Sequence, residues 1–148
     1  MKFEKGQSLF EVVVALAIST LVIIAVVSLA ALSIRNTDFS KNKVLASKYA
    51  QEATEWLRGQ RDADFEIFYA DTLTNTWCLR ALSFTQAGVC GSSSKIGDSA
   101  FYREVGFING LTPNGETLVE ARVRVYWNDA QGSHEVINST AYTDWRQR

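Results

Sequence analysis

The sequence predicts an α+β chain, in which one long N-terminal α-helix has a membrane half and a head half, the latter packed on a three- to four-stranded antiparallel β-sheet. Three observations predict it. Residues 12–34 form 23 consecutive positions without a charge, and roughly 20 apolar residues suffice to cross the hydrocarbon core of a bilayer. No Gly or Pro lies between Gly6 and Gly59, so nothing in that span breaks a helix. Beyond residue 100 the hydrophobic period changes to two, which is that of a half-buried strand.

The first helix begins near a capping box. Ser8-Leu9-Phe10-Glu11 reads S-x-x-E, in which the Ser8 hydroxyl takes the amide of Glu11 and the Glu11 carboxylate reaches back to the amide of Ser8. A carboxylate in a first turn also meets the positive end of the helix dipole. The cap accounts for Glu11 but not for what precedes it. Met1-Lys2-Phe3-Glu4-Lys5 is short and charged, and Gly6 offers a protease an unhindered backbone. An ordinary secretory signal has an apolar stretch of about 7–15 residues with a small-residue cleavage site on its far side. Here the stretch is longer, and its one A-x-A triplet, Ala15-Leu16-Ala17, comes too early. The run reads as a retained anchor, with any cut made at its cytoplasmic edge.

The segment Gly6-Gln7-Ser8-Leu9-Phe10-Glu11-Val12-Val13-Val14-Ala15-Leu16 resembles the class III signal of type IV prepilins and type II secretion pseudopilins. The resemblance implies a cytoplasmic leader at 1–6, a transmembrane and assembly half of the helix at 7–34, and an extracytoplasmic pilin-like head at 35–148. It implies cleavage after Gly6 by a prepilin peptidase and N-methylation of Gln7. Glu11 becomes the fifth residue of the mature chain, whose carboxylate pairs with a neighbouring subunit's N-terminal amine. The physics agrees, because cleavage creates an amine that titrates near 8, beside a membrane where opposite charges attract strongly. The implied partners are other pilin or pseudopilin subunits, the peptidase, an inner-membrane assembly platform and the lipid bilayer. The implied machine is a type IV pilus, a pseudopilus or a DNA-uptake fibre.

Many members have Phe where this chain has Gln7, and major pilins commonly carry a proline midway along the membrane helix. The single proline here is Pro113, and the run after Glu11 is more similar to minor subunits. Flanking cations alone, Lys2 and Lys5 against Arg35, Lys41, Lys43 and Lys48, favour the far side as cytoplasmic. The resemblance implies the reverse, with the N-terminus inside. The alternative of another class is an uncleaved, signal-anchored extracytoplasmic binding domain that does not polymerise.

Past Ile34 the helix is expected to run to about residue 57, with Asn36-Thr37-Asp38 as the point where poor helix formers bend or fray it. Leu45, Tyr49, Ala53, Trp56 and Leu57 share a face. The reading is packing under a sheet, with a coiled-coil seam as the rival. Phe101 to Ile108 reads as a strand of a three-stranded meander, to which Trp77 to Phe84 would add a fourth. Leu111-Thr112-Pro113-Asn114-Gly115 is a turn into the alternating run Val119, Ala121, Val123, Val125, Trp127. Asp129-Ala130-Gln131-Gly132 turns the chain back, and residues 134–143 form the partner strand.

Cys78 and Cys90 are the only cysteines. In the exported head that the resemblance implies, a bridge between them can persist. Closing so short a loop stabilises by roughly 3 kcal/mol in the chain-entropy model; two unpaired thiols, or one buried and one exposed, is the alternative. A four-ligand zinc site is not expected from two cysteines and the lone His134. The chain has no GxGxxG, GxxxxGK[ST] or HExxH motif, and its net charge of −1 does not suggest a nucleic-acid binder. No catalytic residue, cofactor or metal is therefore assigned, and the chain is read as a non-enzyme. His134 reads as a solvated or satisfied strand residue. Asp62, Asp64 and Glu66 lack the Gly and terminal Glu of a calcium loop and read as an acidic linker after Gly59. Trp56, Trp77, Trp127 and Trp145 read as core and rim.

Overall fold

A computed structural model describes residues 9–144 of the chain. The chain divides into two compact units, Met1–Lys41 and Asn42–Arg148. Helix α1, Leu9–Ala63, is continuous through the division. Among the described residues it is followed by α2 (Phe65–Thr72), β1 (Thr76–Cys78), β2 (Tyr102–Leu111), β3 (Thr117–Asp129) and β4 (Gly132–Thr143). The strands form one antiparallel sheet in the order β1-β2-β3-β4.

In the first unit the apolar side chains of α1 from Leu9 to Ile34 are exposed. Three of its hydroxyls are satisfied within the helix: Ser19 donates to the Ala15 carbonyl (2.8 Å), Thr20 to Ala17 (2.8 Å) and Ser28 to Ile24 (2.8 Å). A helix in hydrocarbon requires such internal pairing. This helix is long and apolar enough to cross a membrane. The helix is neither broken nor frayed at Asn36-Thr37-Asp38. The helical disadvantage of such residues is only a few tenths of a kcal/mol each, and the Thr37 hydroxyl bonds back to the Ser33 carbonyl at 2.9 Å.

In the second unit, α1 lies on the sheet through a line of small residues. Ala46, Ala50, Ala53 and Leu57 are each at most 1% exposed, at spacings of four, three and four that keep them on one face. Small side chains let the backbone approach closely. The sheet contributes Val105 and Phe107 from β2 and Val119, Ala121, Val123, Val125 and Trp127 from β3. Leu45, Tyr49 and Trp56 flank the line, partly buried, so the packing reading of the stripe holds with its axis shifted onto the alanines. Thr54 joins the helix to β4, accepting from Asn138 Nδ2 at 3.1 Å through its hydroxyl and from the Tyr142 hydroxyl at 3.0 Å through its carbonyl.

Several boundaries differ from expectation. The helix does not stop near 57 but passes through Gly59 to Ala63, because one glycine costs a helix only about 1 kcal/mol and Leu57 anchors that turn in the core. The acidic stretch is not a linker. Asp62 lies in the last turn of α1, Asp64 caps α2 by accepting from the Ile67 amide at 3.0 Å, and Glu66 lies in the first turn of α2. Asp64 and Glu66 thus satisfy or face the free amides of a helix start. The possible strand over Trp77 to Phe84 shrinks to Thr76–Cys78, since the chain turns into the loop that the cysteines close. The fourth strand begins at Gly132 rather than 134.

Candidate functional site

Glu11 sits in the first turn of α1, exposed, at the head of the uncovered apolar surface. Val13, Leu16, Leu21, Ile24, Val27 and Ile34 are each more than half exposed, an extent of apolar surface that water alone does not support. Its chemistry suits lipid tails or the apolar faces of other helices, with one carboxylate at the end. Gly6, Gln7 and the Ser8 half of the capping box lie outside the described residues, as does Trp145.

The head is organised around two charged side chains of β2 that sequence reasoning missed. Arg103 is 2% exposed. Its Nε donates to the Leu79 carbonyl (3.1 Å), and its Nη1 donates to the Tyr49 carbonyl (3.1 Å) and to Glu52 Oε2 (2.7 Å). It thereby ties α1, β2 and the loop after β1 together. The signal lay in the strand pattern, because Arg103 shares the inward parity of Phe101, Val105 and Phe107, and a cation there requires partners.

Glu104, on the opposite face and 6% exposed, gathers the loop. Its Oε1 accepts from the Cys90 amide (2.8 Å) and from the Tyr126 hydroxyl (2.9 Å), and Arg124 Nη1 lies 3.7 Å from Oε2. Burial, reinforced by the hydrogen bond and negative charge of Glu104, pushes the Tyr126 phenol up to about 12. Cys78 and Cys90 are joined in a disulfide, and no described cysteine is free. The bridge and Glu104 hold the same loop at adjacent points.

The remaining candidates do not converge on one site. His134 Nε2 is 2.9 Å from Asp129 Oδ1, and its ring lies 5.3 Å from that of Trp127. Burial pushes the Asp129 carboxyl up, but the Gln131 amide, the His134 ring and the Trp127 indole outweigh it and hold the group below its ordinary range. This is a hydrogen-bonded hairpin tip, with His134 a satisfied residue. Trp127 is core, while Trp56 and Trp77 pack on Phe84 at 4.8 and 5.3 Å. Among the described residues, no group of three or more His, Cys, Asp or Glu side chains is placed to hold a metal ion. No protein-family model, curated protein or solved structure matches the chain.

Proposed function

We propose that the chain is a prepilin-type structural subunit with no catalytic role. It inserts with its N-terminus in the cytoplasm, is cleaved after Gly6 and N-methylated at Gln7, and is drawn from the inner membrane into a pilus, pseudopilus or DNA-uptake fibre. Helix packing supplies the assembly energy, and Glu11 neutralises a neighbour's N-terminal amine. One combination supports the reading: a single carboxylate in the first turn of an apolar helix, placed five residues after Gly6 and behind a short basic head. Lipid and neighbouring helices are interchangeable covers for such a surface, since both are apolar. A subunit that must leave a bilayer for a fibre requires that property. The α+β head, a helix on an antiparallel sheet, suits this role.

The test is the N-terminal mass of the membrane-extracted protein after co-expression with a prepilin peptidase. A chain beginning at Gln7, with or without one added methyl group, is expected. A chain still beginning at Met1 would overturn the proposal and leave a plain membrane-anchored domain.

A further inference from the structure

The two edges of the sheet are treated differently. Bonds alternate along an antiparallel ladder, so each residue directs its N–H and C=O to one side only. The Phe107 amide donates to Asn75 and the Leu79 amide to Arg103, so odd-numbered residues of β2 face β1. The even-numbered residues of β1 therefore face outward, and a loop takes them up. The Cys78 amide donates to the Gln86 carbonyl (2.9 Å) and the Gly88 amide to the Thr76 carbonyl (2.8 Å), with Trp77 bridged to Ala87. The β1 edge is closed over Thr76–Cys78.

The β4 edge is open. The Thr112 amide donates to Glu116, which sets even residues of β3 toward β2 and odd ones toward β4. Through the register Val125↔Val136 and Val123↔Asn138, the outward groups of β4 are those of Ser133, Glu135, Ile137, Ser139, Ala141 and Thr143. Among the described residues, no backbone or side-chain hydrogen bond reaches them. Folded proteins ordinarily protect such an edge with proline, lysine, a bulge or a short strand. Residues 132–143 contain no proline or lysine and one carboxylate, and pair along their length without a bulge. Of the inward side chains of β4, Tyr142 is buried but the four before it are incompletely covered. His134, Val136, Asn138 and Thr140 are half-buried, whereas the inward residues of β3 are buried.

We infer that β4 is a homotypic interface, at which a second copy of this chain adds its own β4 antiparallel about a two-fold axis. The β1 edge is covered over its length, and past Phe107 the outward backbone groups on that side are, among the described residues, those of Asn109 and Leu111 alone, too short a stretch for β4 to add to head to tail, which leaves β4 against β4. Only registers that place odd residues opposite odd residues make the bonds. The one centred on Ile137, which is 47% exposed, overlaps nearly the whole strand. It sets Ile137 against Ile137, Glu135 against Ser139 and Ser133 against Ala141, so no like charges meet. The contact is isologous and closes at two copies, so it is distinct from the open packing of a fibre and does not rest on the pilin reading.

The full chain in detergent, treated with a short bis-maleimide, tests this, since the described cysteines are bridged and a new one is a clean reporter. A mixture of Ser133→Cys and Ala141→Cys chains should cross-link to dimers, because these positions face each other at about 5.5 Å between Cα atoms. Either variant alone should cross-link at least about tenfold less, because like positions then lie some eight residues apart, roughly 26 Å along the strand. Adding Ile137→Lys to both chains should abolish the mixed product, with the native disulfide retained as proof of folding. Monomers throughout, or equal cross-linking of single and mixed samples, would overturn the inference. A β4 edge that captures only an extended segment of another protein would give the first of those results.

Discussion

Replacing Arg103 by Met should destabilise the head by about 2–4 kcal/mol, and Glu52→Gln by less, about 1–2 kcal/mol, because an amide oxygen at position 52 still accepts from Nη1 and the buried guanidinium loses only its opposite charge. The larger loss, that of Arg103→Met, follows from exposure. The guanidinium is 2% exposed and the Glu52 side chain 51%, so water replaces the partner that Glu52 loses but not the donor lost by the carbonyls of Leu79 and Tyr49. A buried acceptor left unsatisfied costs about 1–3 kcal/mol. The Tyr49 carbonyl keeps its helical bond and belongs at the low end of that range. Met refills most of the volume, so little is added for a cavity. Urea unfolding of the full chain in detergent, followed by tryptophan fluorescence from the head, reads the difference as a shift in midpoint at constant slope. If Glu52→Gln shifts the midpoint as far as Arg103→Met, the ion pair carries the stability and the reasoning from the carbonyls is wrong.

Other outcomes follow from single side chains. Gly59→Ala should stabilise the head by about 0.5–1 kcal/mol, because the position is helical and an added Cβ meets nothing within 4 Å; a loss of stability in the same urea assay would contradict that placement. Tyr126 holds its proton more tightly when folded, with a pKa of about 12 against an ordinary 10.0. Its contribution is therefore fully present below pH 10 and is lost as pH rises through about 12. Tyr126→Phe should flatten the fall in stability over that range, leaving the part due to Tyr142, which burial also raises; an unchanged slope would refute the assignment. On the proposed function, Glu11→Ala should insert and be cleaved normally yet be poorly incorporated into fibres, and normal incorporation would reduce Glu11 to a helix cap.

Periodicity made part of this fold legible. The alternation from Val119 to Trp127 identifies β3 because it is buried on one face, and its turns carry Gly115 and Gly132 at positive φ. The absence of Gly and Pro before residue 59 identifies α1. The line Ala46, Ala50, Ala53 was less visible, since alanine is a weak hydrophobic signal and the aromatic flanks Tyr49 and Trp56 drew the face toward themselves. The short helix α2 was hidden because its acids looked like a linker, although Asp64 three residues before Ile67 is an N-cap in form. Arg103 and Glu104 depend on partners 14 to 54 residues away, and no local pattern supplies these. Of the candidate site, Glu11 was legible as an acid out of place, and the cysteine pair from its count.

The loop over the β1 edge has a consequence for where this chain folds safely. Residues 86–88 cover that edge, and they are kept in place by Cys90, through both its sulfur and its amide bonded to Glu104. A chain with the loop loose would present two open edges rather than one. One open edge limits association to pairs, whereas two allow sheets to add end on end without limit, the route to insoluble aggregates. The bridge thus sets a ceiling on how many copies can join through their sheets. Chains held in a reducing compartment before the bridge forms should be the ones that precipitate.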